Sequence, residues 1–199
     1  MSSDKKVLKG FVKTENVILL LFVALAIGFV GGVVFSVYRS VGTMPITADG
    51  TAASPAAAQQ RAMIASLVQQ TESDPGDVAA WTQLGHLYFD TGQTAQAIEA
   101  YEQSLKLDGQ RPDVWTDLGV MYRRDGDPQK AVDLFEHALT LDPNHQVALY
   151  NRGIVLMHDL NDLEGALASW EKLLIVNPDA RTPSGDPLEN IVHQMRRNN

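Results

Sequence analysis

The 199-residue chain contains no cysteine. That absence excludes a disulfide framework, a thiolate zinc site, a cysteine nucleophile and a haem attached through Cys-x-x-Cys-His. It also excludes a lipid anchor on a terminal cysteine. Positive charge is scarce: 16 Lys and Arg stand against 24 Asp and Glu, a net of -8. Nucleic acid, which demands clustered Lys and Arg, is therefore excluded as the main partner. Catalytic motifs are missing too. There is no Gly-x-Ser-x-Gly, no phosphate-binding glycine loop and no His-Glu-x-x-His. The five histidines (His86, His137, His145, His158, His193) show no metal-ligand spacing. The sequence thus predicts no enzyme, no catalytic residue, no metal and no cofactor.

What charge there is falls unevenly. Lys5, Lys6, Lys9 and Lys13 face a single acid, Asp4, within the first 13 residues, whereas 11 Lys and Arg face 22 Asp and Glu beyond residue 40. Between these parts lies an uncharged run of 22 residues, 17–38 (VILLLFVALAIGFVGGVVFSVY). As a helix it would measure about 33 Å, enough to cross a hydrocarbon core of about 30 Å. A cleaved signal peptide would have a shorter apolar stretch and an Ala-x-Ala-like site, and Ser36-Val37-Tyr38-Arg39-Ser40 offers none. The run is read as an uncleaved transmembrane helix. The basic tail, residues 1–16, stays in the cytoplasm by the positive-inside bias, and the body crosses. In a bacterium this means a single-pass inner-membrane protein with a periplasmic domain. Gly28 and Gly32 form a Gly-x-x-x-Gly pair, a spacing that lets two membrane helices approach closely and oligomerise. Residues 39–55, rich in Ala, Thr, Gly and Pro, form a flexible linker.

The remainder repeats itself. Trp81 and Trp115 lie 34 residues apart. Trp81, Leu84, Gly85, Tyr88, Ala97, Tyr101 and Ser104 recur as Trp115, Leu118, Gly119, Tyr122, Ala131, Phe135 and Ala138. A third copy carries Leu149, Arg152, Gly153, Leu156, Ala166, Trp170 and Leu173, with one extra residue near Asn161. These positions resemble the tetratricopeptide repeat, a 34-residue helix-turn-helix unit, over roughly residues 75–178. The resemblance implies an all-α fold: a solenoid of three repeats (75–108, 109–142 and 143–177) between a front capping helix within 56–74 and a C-terminal capping helix within 178–199. Capping is needed because each repeat buries its apolar face only against a neighbour. Helices are expected over 77–90, 94–107, 111–124, 128–141, 145–159 and 162–176, flanked by 56–72 and 187–197, eight in all in a right-handed arc. Met63 and Leu67 of the first should match Ala97 and Tyr101.

In such repeats the first (A) helices line the inner face of the arc. The A-helix positions outside the packing signature are Thr82, His86, Phe89 and Asp90 in repeat one. They are Asp113, Thr116, Val120 and Arg123 in repeat two, and Tyr150, Asn151, Ile154, Met157 and His158 in repeat three. This mixture suits a peptide held by apolar pockets with a few polar anchors. The Lys and Asn clamp by which chaperone-tail binders of this superfamily hold a terminal carboxylate is replaced by Thr82 and His86 in repeat one, although Arg123 and Asn151 offer donors to a carboxylate.

One membrane anchor, the preceding B-like helix, Asp-Pro-x-Asp-x-x-x-Trp at Asp74–Trp81 and the run Ser169-Trp170-Glu171-Lys172-Leu173-Leu174 also resemble bacterial cytochrome c biogenesis proteins. That resemblance implies an interaction scaffold that captures apocytochrome tails for haem attachment. The alternative is a structural subunit or assembly factor of another membrane, pilus or secretion complex. A eukaryotic organelle receptor with a cytosolic domain conflicts with the lysine-rich N-terminus.

Overall fold

The computed structural model describes residues 54–198. The basic tail, the apolar run with Gly28 and Gly32, and the linker up to residue 53 lie outside the described residues. Among the described residues no helix is long and apolar enough to cross a membrane.

Eight helices follow one another: α1 (Pro55–Ser73), α2 (Val78–Asp90), α3 (Thr94–Leu107), α4 (Pro112–Asp125), α5 (Pro128–Leu141), α6 (Gln146–His158), α7 (Leu163–Val176) and α8 (Leu188–Asn198). Their starts are written in side-chain acceptors that satisfy first-turn amides. Asp77 accepts from the Ala80 N–H, Asp127 from Lys130 and Asp162 from Gly165, each at 2.9 Å. Proline at the first helical position opens α1, α4 and α5. His145 caps α6 by accepting the Ala148 N–H at its Nδ1 atom.

Each repeat is an antiparallel hairpin, α2 with α3, α4 with α5 and α6 with α7, and each hairpin packs on the next. Two A helices, α4 and α6, also touch directly. The hairpins close because the signature glycines leave room for a ring. A Cβ on Gly85 would stand 2.5 Å from the Tyr101 ring, and one on Gly119 would stand 2.6 Å from Phe135. A Cβ on Gly153 would collide with the Trp170 indole. The three rings are almost wholly buried. Trp81 and Trp115 anchor the entry to their repeats by donating Nε1–H to the Pro75 and Gly109 carbonyls.

The extra residue of repeat three sits in the turn between α6 and α7. Gly92 and Gly126 supply positive φ in the first two turns, and in the third Asn161 does so at φ 56°. Asn tolerates the left-handed region better than most residues because its side chain bonds locally. Arg152, which replaces the usual Leu, is half-buried and reaches both neighbours. It donates to Glu136 Oε1 on α5 at 2.7 Å and to Ser169 Oγ on α7.

The front cap departs from expectation in one place. Leu67 is buried, but Met63, expected at the Ala97 position, is 46% exposed. In later repeats that position is covered by the preceding A helix, and no helix precedes α1 among the described residues. Ile64 and Val68 pack on α2 instead. At the other end Leu188 and Val192 of α8 are buried against repeat three, with Met195 packed beside them.

Candidate peptide groove

The A-helix positions separate into three groups. Thr82 and Thr116 are a correction to the sequence reading, because both are buried and turned away from the open face. Thr82 donates its hydroxyl to the Val78 carbonyl at 2.8 Å. The same oxygen meets Ser104 Oγ of α3 at 2.7 Å and accepts from Arg111 Nη1 at 2.8 Å. Thr116 donates to the Pro112 carbonyl at 2.8 Å. A short hydroxyl side chain on a helix satisfies itself on the carbonyl four residues back, as both of these do.

A second group is apolar and half-buried. Val120, Tyr150, Ile154 and Met157 contribute part of their surface to the core and leave part uncovered. Phe89 is likewise half-buried, with the Arg124 guanidinium 4.2 Å above its ring. Asn151 lies among them, half-buried.

The third group is polar and joins successive A helices. His86 on α2 faces Asp117 on α4, Nε2 to Oδ2 at 3.2 Å. Asp113 on α4 takes a hydrogen bond at 2.7 Å from Nε2 of His145, since Nδ1 already accepts at the cap. Arg123 near the end of α4 pairs with Asp159 just past α6 at 2.5 Å. Asp90 and His158 are exposed at the C-terminal ends of α2 and α6. Arg123 is thus committed to a carboxylate of its own chain. Asp117, Asp159 and Arg124 escaped the sequence reading. Their partners His86, Arg123 and Phe89 stand 31, 36 and 35 residues away, about one repeat length. A search for opposite charges at that separation would have found Asp117 and Asp159, and a search for a cation one repeat from an aromatic would have found Arg124.

Charge and burial tune this face. The hydrogen bond to Asp117 raises the pKa of His86 against a smaller opposing effect of burial, with Asp117 and Asp90 also raising it and Arg111 lowering it. A raised imidazole pKa stabilises the fold fully below the ordinary value of about 6.5 and stops doing so as pH rises through the raised value. His86 is half exposed, so the contribution should be roughly 0.2–1 kcal/mol. The thermal midpoint is expected to fall more in the wild type than in Asp117→Asn between about pH 5.5 and about pH 8.5. Equal falls would remove this pair as the cause. Tyr122, donating to Glu102 Oε1 at 2.8 Å, has its pKa pushed up to about 12 chiefly by that bond. Among the described residues no group of three or more His, Asp or Glu side chains is placed to hold a metal ion.

Comparison with known proteins places this architecture. Among solved structures, a MamA protein overlays with a TM-score of 0.62 at 21% identity, covering 70% of this chain and 75% of that one. A tetratricopeptide repeat protein from Parabacteroides merdae gives 0.61 at 24% identity, over 71% of this chain and 55% of that one. The first repeat domain of Spaghetti (RPAP3), bound to an HSP90 peptide, gives 0.54 at 21% identity, over 61% and 91%. These likenesses show the tetratricopeptide fold. No curated protein matches the chain. The family model of the cytochrome c-type biogenesis protein H TPR domain matches residues 47–182. Repeats, caps and turns together make the chain a tetratricopeptide protein belonging to the family of the cytochrome c-type biogenesis protein H TPR domain.

Proposed function

We propose that this protein is a non-enzymatic scaffold of cytochrome c maturation, anchored in the bacterial inner membrane by residues 17–38 and exposing its repeats to the periplasm. Its A-helix face holds a peptide segment of an apocytochrome while other proteins carry out the thiol and haem chemistry. The observation that carries this reading is the family match across residues 47–182. The half-buried Phe89, Val120, Ile154 and Met157 supply the apolar surface such a segment requires, and the cysteine-free chain has no thiol to compete with the client's own.

The test is crosslinking and recovery of the full-length protein from detergent-solubilised membranes. Apocytochromes or maturation proteins should be enriched, and recovery of unrelated envelope proteins alone would overturn the pathway. Protease added to spheroplasts, but not to intact cells, should digest the repeat domain; protection in spheroplasts would reverse the orientation. The Gly28 and Gly32 spacing favours a second role, assembly through the span. Under it a Gly28→Leu, Gly32→Leu double change dissolves a membrane complex that changes on the A-helix face leave intact.

A further inference from the structure

The three rings that close the hairpins differ in one polar atom. Phe135 has none. Trp170 satisfies its Nε1–H on the Tyr150 carbonyl at 3.2 Å. Tyr101 is fully buried and its hydroxyl has no hydrogen-bond partner. Leaving a buried hydroxyl unpaired is destabilising, and packing under Gly85 would be served equally by phenylalanine, as repeat two demonstrates. The phenol lies at the seam between α2 and α4. Asp117 and Asp90 are close enough that, after burial itself, their charges hold its pKa above the ordinary tyrosine value, so it is a donor in search of an acceptor. The His86 imidazole meets the Tyr101 ring edge-on, centroids 5.7 Å apart, while paired with Asp117. With half of its side chain exposed, His86 has room to swing away. Asp90 has no ion pair among the described residues, and the chain beyond residue 40 carries twice as many acids as Lys and Arg.

We propose that Tyr101, Asp117 and Asp90 form an anchoring site at this seam for a lysine- or arginine-bearing peptide segment, closed by His86 in the free protein. The incoming cation takes the Asp117 carboxylate from His86. The released imidazole turns outward, and the uncovered phenol donates to a main-chain carbonyl of the peptide beside the cationic residue. The site rests on the client reading above and specifies the chemistry of the segment held. Because His86 must be displaced, capture is weaker when the imidazole is protonated. The charged and titratable groups around it are Asp117, Asp90, Arg111 and Tyr101.

The test uses the full-length protein and two synthetic peptides: an apocytochrome tail containing lysine, and the same tail with every lysine changed to alanine. The lysine peptide should bind more tightly, and Tyr101→Phe should weaken it by about fivefold to tenfold, the share of one hydrogen bond. Tyr101→Phe should also melt no lower than the wild type. A midpoint several degrees lower would mean that the hydroxyl has a partner within the fold, and would overturn the site whatever the peptides do. His86→Ala should bind the lysine peptide at least as tightly and lose the weakening at low pH; weaker binding would overturn the displacement. Equal binding of both peptides by the wild type would overturn the anchoring site but leave the client reading standing. Binding of neither would overturn the client reading, and the site with it.

Discussion

Phe135→Ala should destabilise the repeat domain by about 3–5 kcal/mol, the usual cost of emptying a buried aromatic site. The ring is wholly buried in the core that joins repeats two and three, among Ala131, Val132 and Leu149. Its neighbours are held by helix backbones on several sides, so the cavity has little freedom to collapse. A domain of this size has a total stability of roughly 5–15 kcal/mol, so about a fifth or more of it would go. The urea midpoint should drop with the slope unchanged. A loss below about 1 kcal/mol would mean that the ring is not the hinge of this hairpin.

Gly119→Leu attacks the same contact from the other side. Any Cβ here stands 2.6 Å from a Phe135 ring carbon and 2.9 Å from the next. The ring is packed on its far face, so either α4 or α5 must move outward. Overpacking of this kind costs typically 1–3 kcal/mol, or a midpoint lowered by roughly 2–4 °C for each kcal/mol. An unchanged melting temperature would refute the close approach of α4 to α5. The two changes are coupled. In the double variant the leucine has the space vacated by the ring, so the combined loss should fall short of the sum by about 0.5–3 kcal/mol.

The elements of this fold were readable because their determinants are local. Asp77, Asp127 and Asp162 announce helix starts within three residues of the amides they cap, and the Gly–ring pairs recur at a fixed period. The observed helices accordingly begin and end within two residues of expectation. The candidate site was less legible. Period alone identifies an A-helix position but not the side on which a short polar residue finds its bond, so Thr82 and Thr116 read as open-face positions although both are buried and hydrogen-bonded, Thr82 to Val78, Ser104 and Arg111 and Thr116 to Pro112. The pairs His86–Asp117 and Arg123–Asp159 depend on how far one repeat is rotated on the next, a quantity no single repeat contains. The Tyr101 hydroxyl was hidden for a different reason. Tyr, Phe and Trp are interchangeable in a packing signature, and only coordinates reveal which polar atom is satisfied.

Because each hairpin touches only its neighbours, resistance to local opening should be graded along the chain. Among the described residues the front helix α1 buries only Leu67 and Thr71, and it packs mainly against α2. Its amides should exchange with solvent first. The hairpin of α4 and α5, held on both sides, should exchange last. A tug on the chain at residue 54 would peel α1 away before it strained the A-helix face. The first helix is thus a slack coupling, through which movement at the front of the domain is absorbed before it reaches the A-helix face.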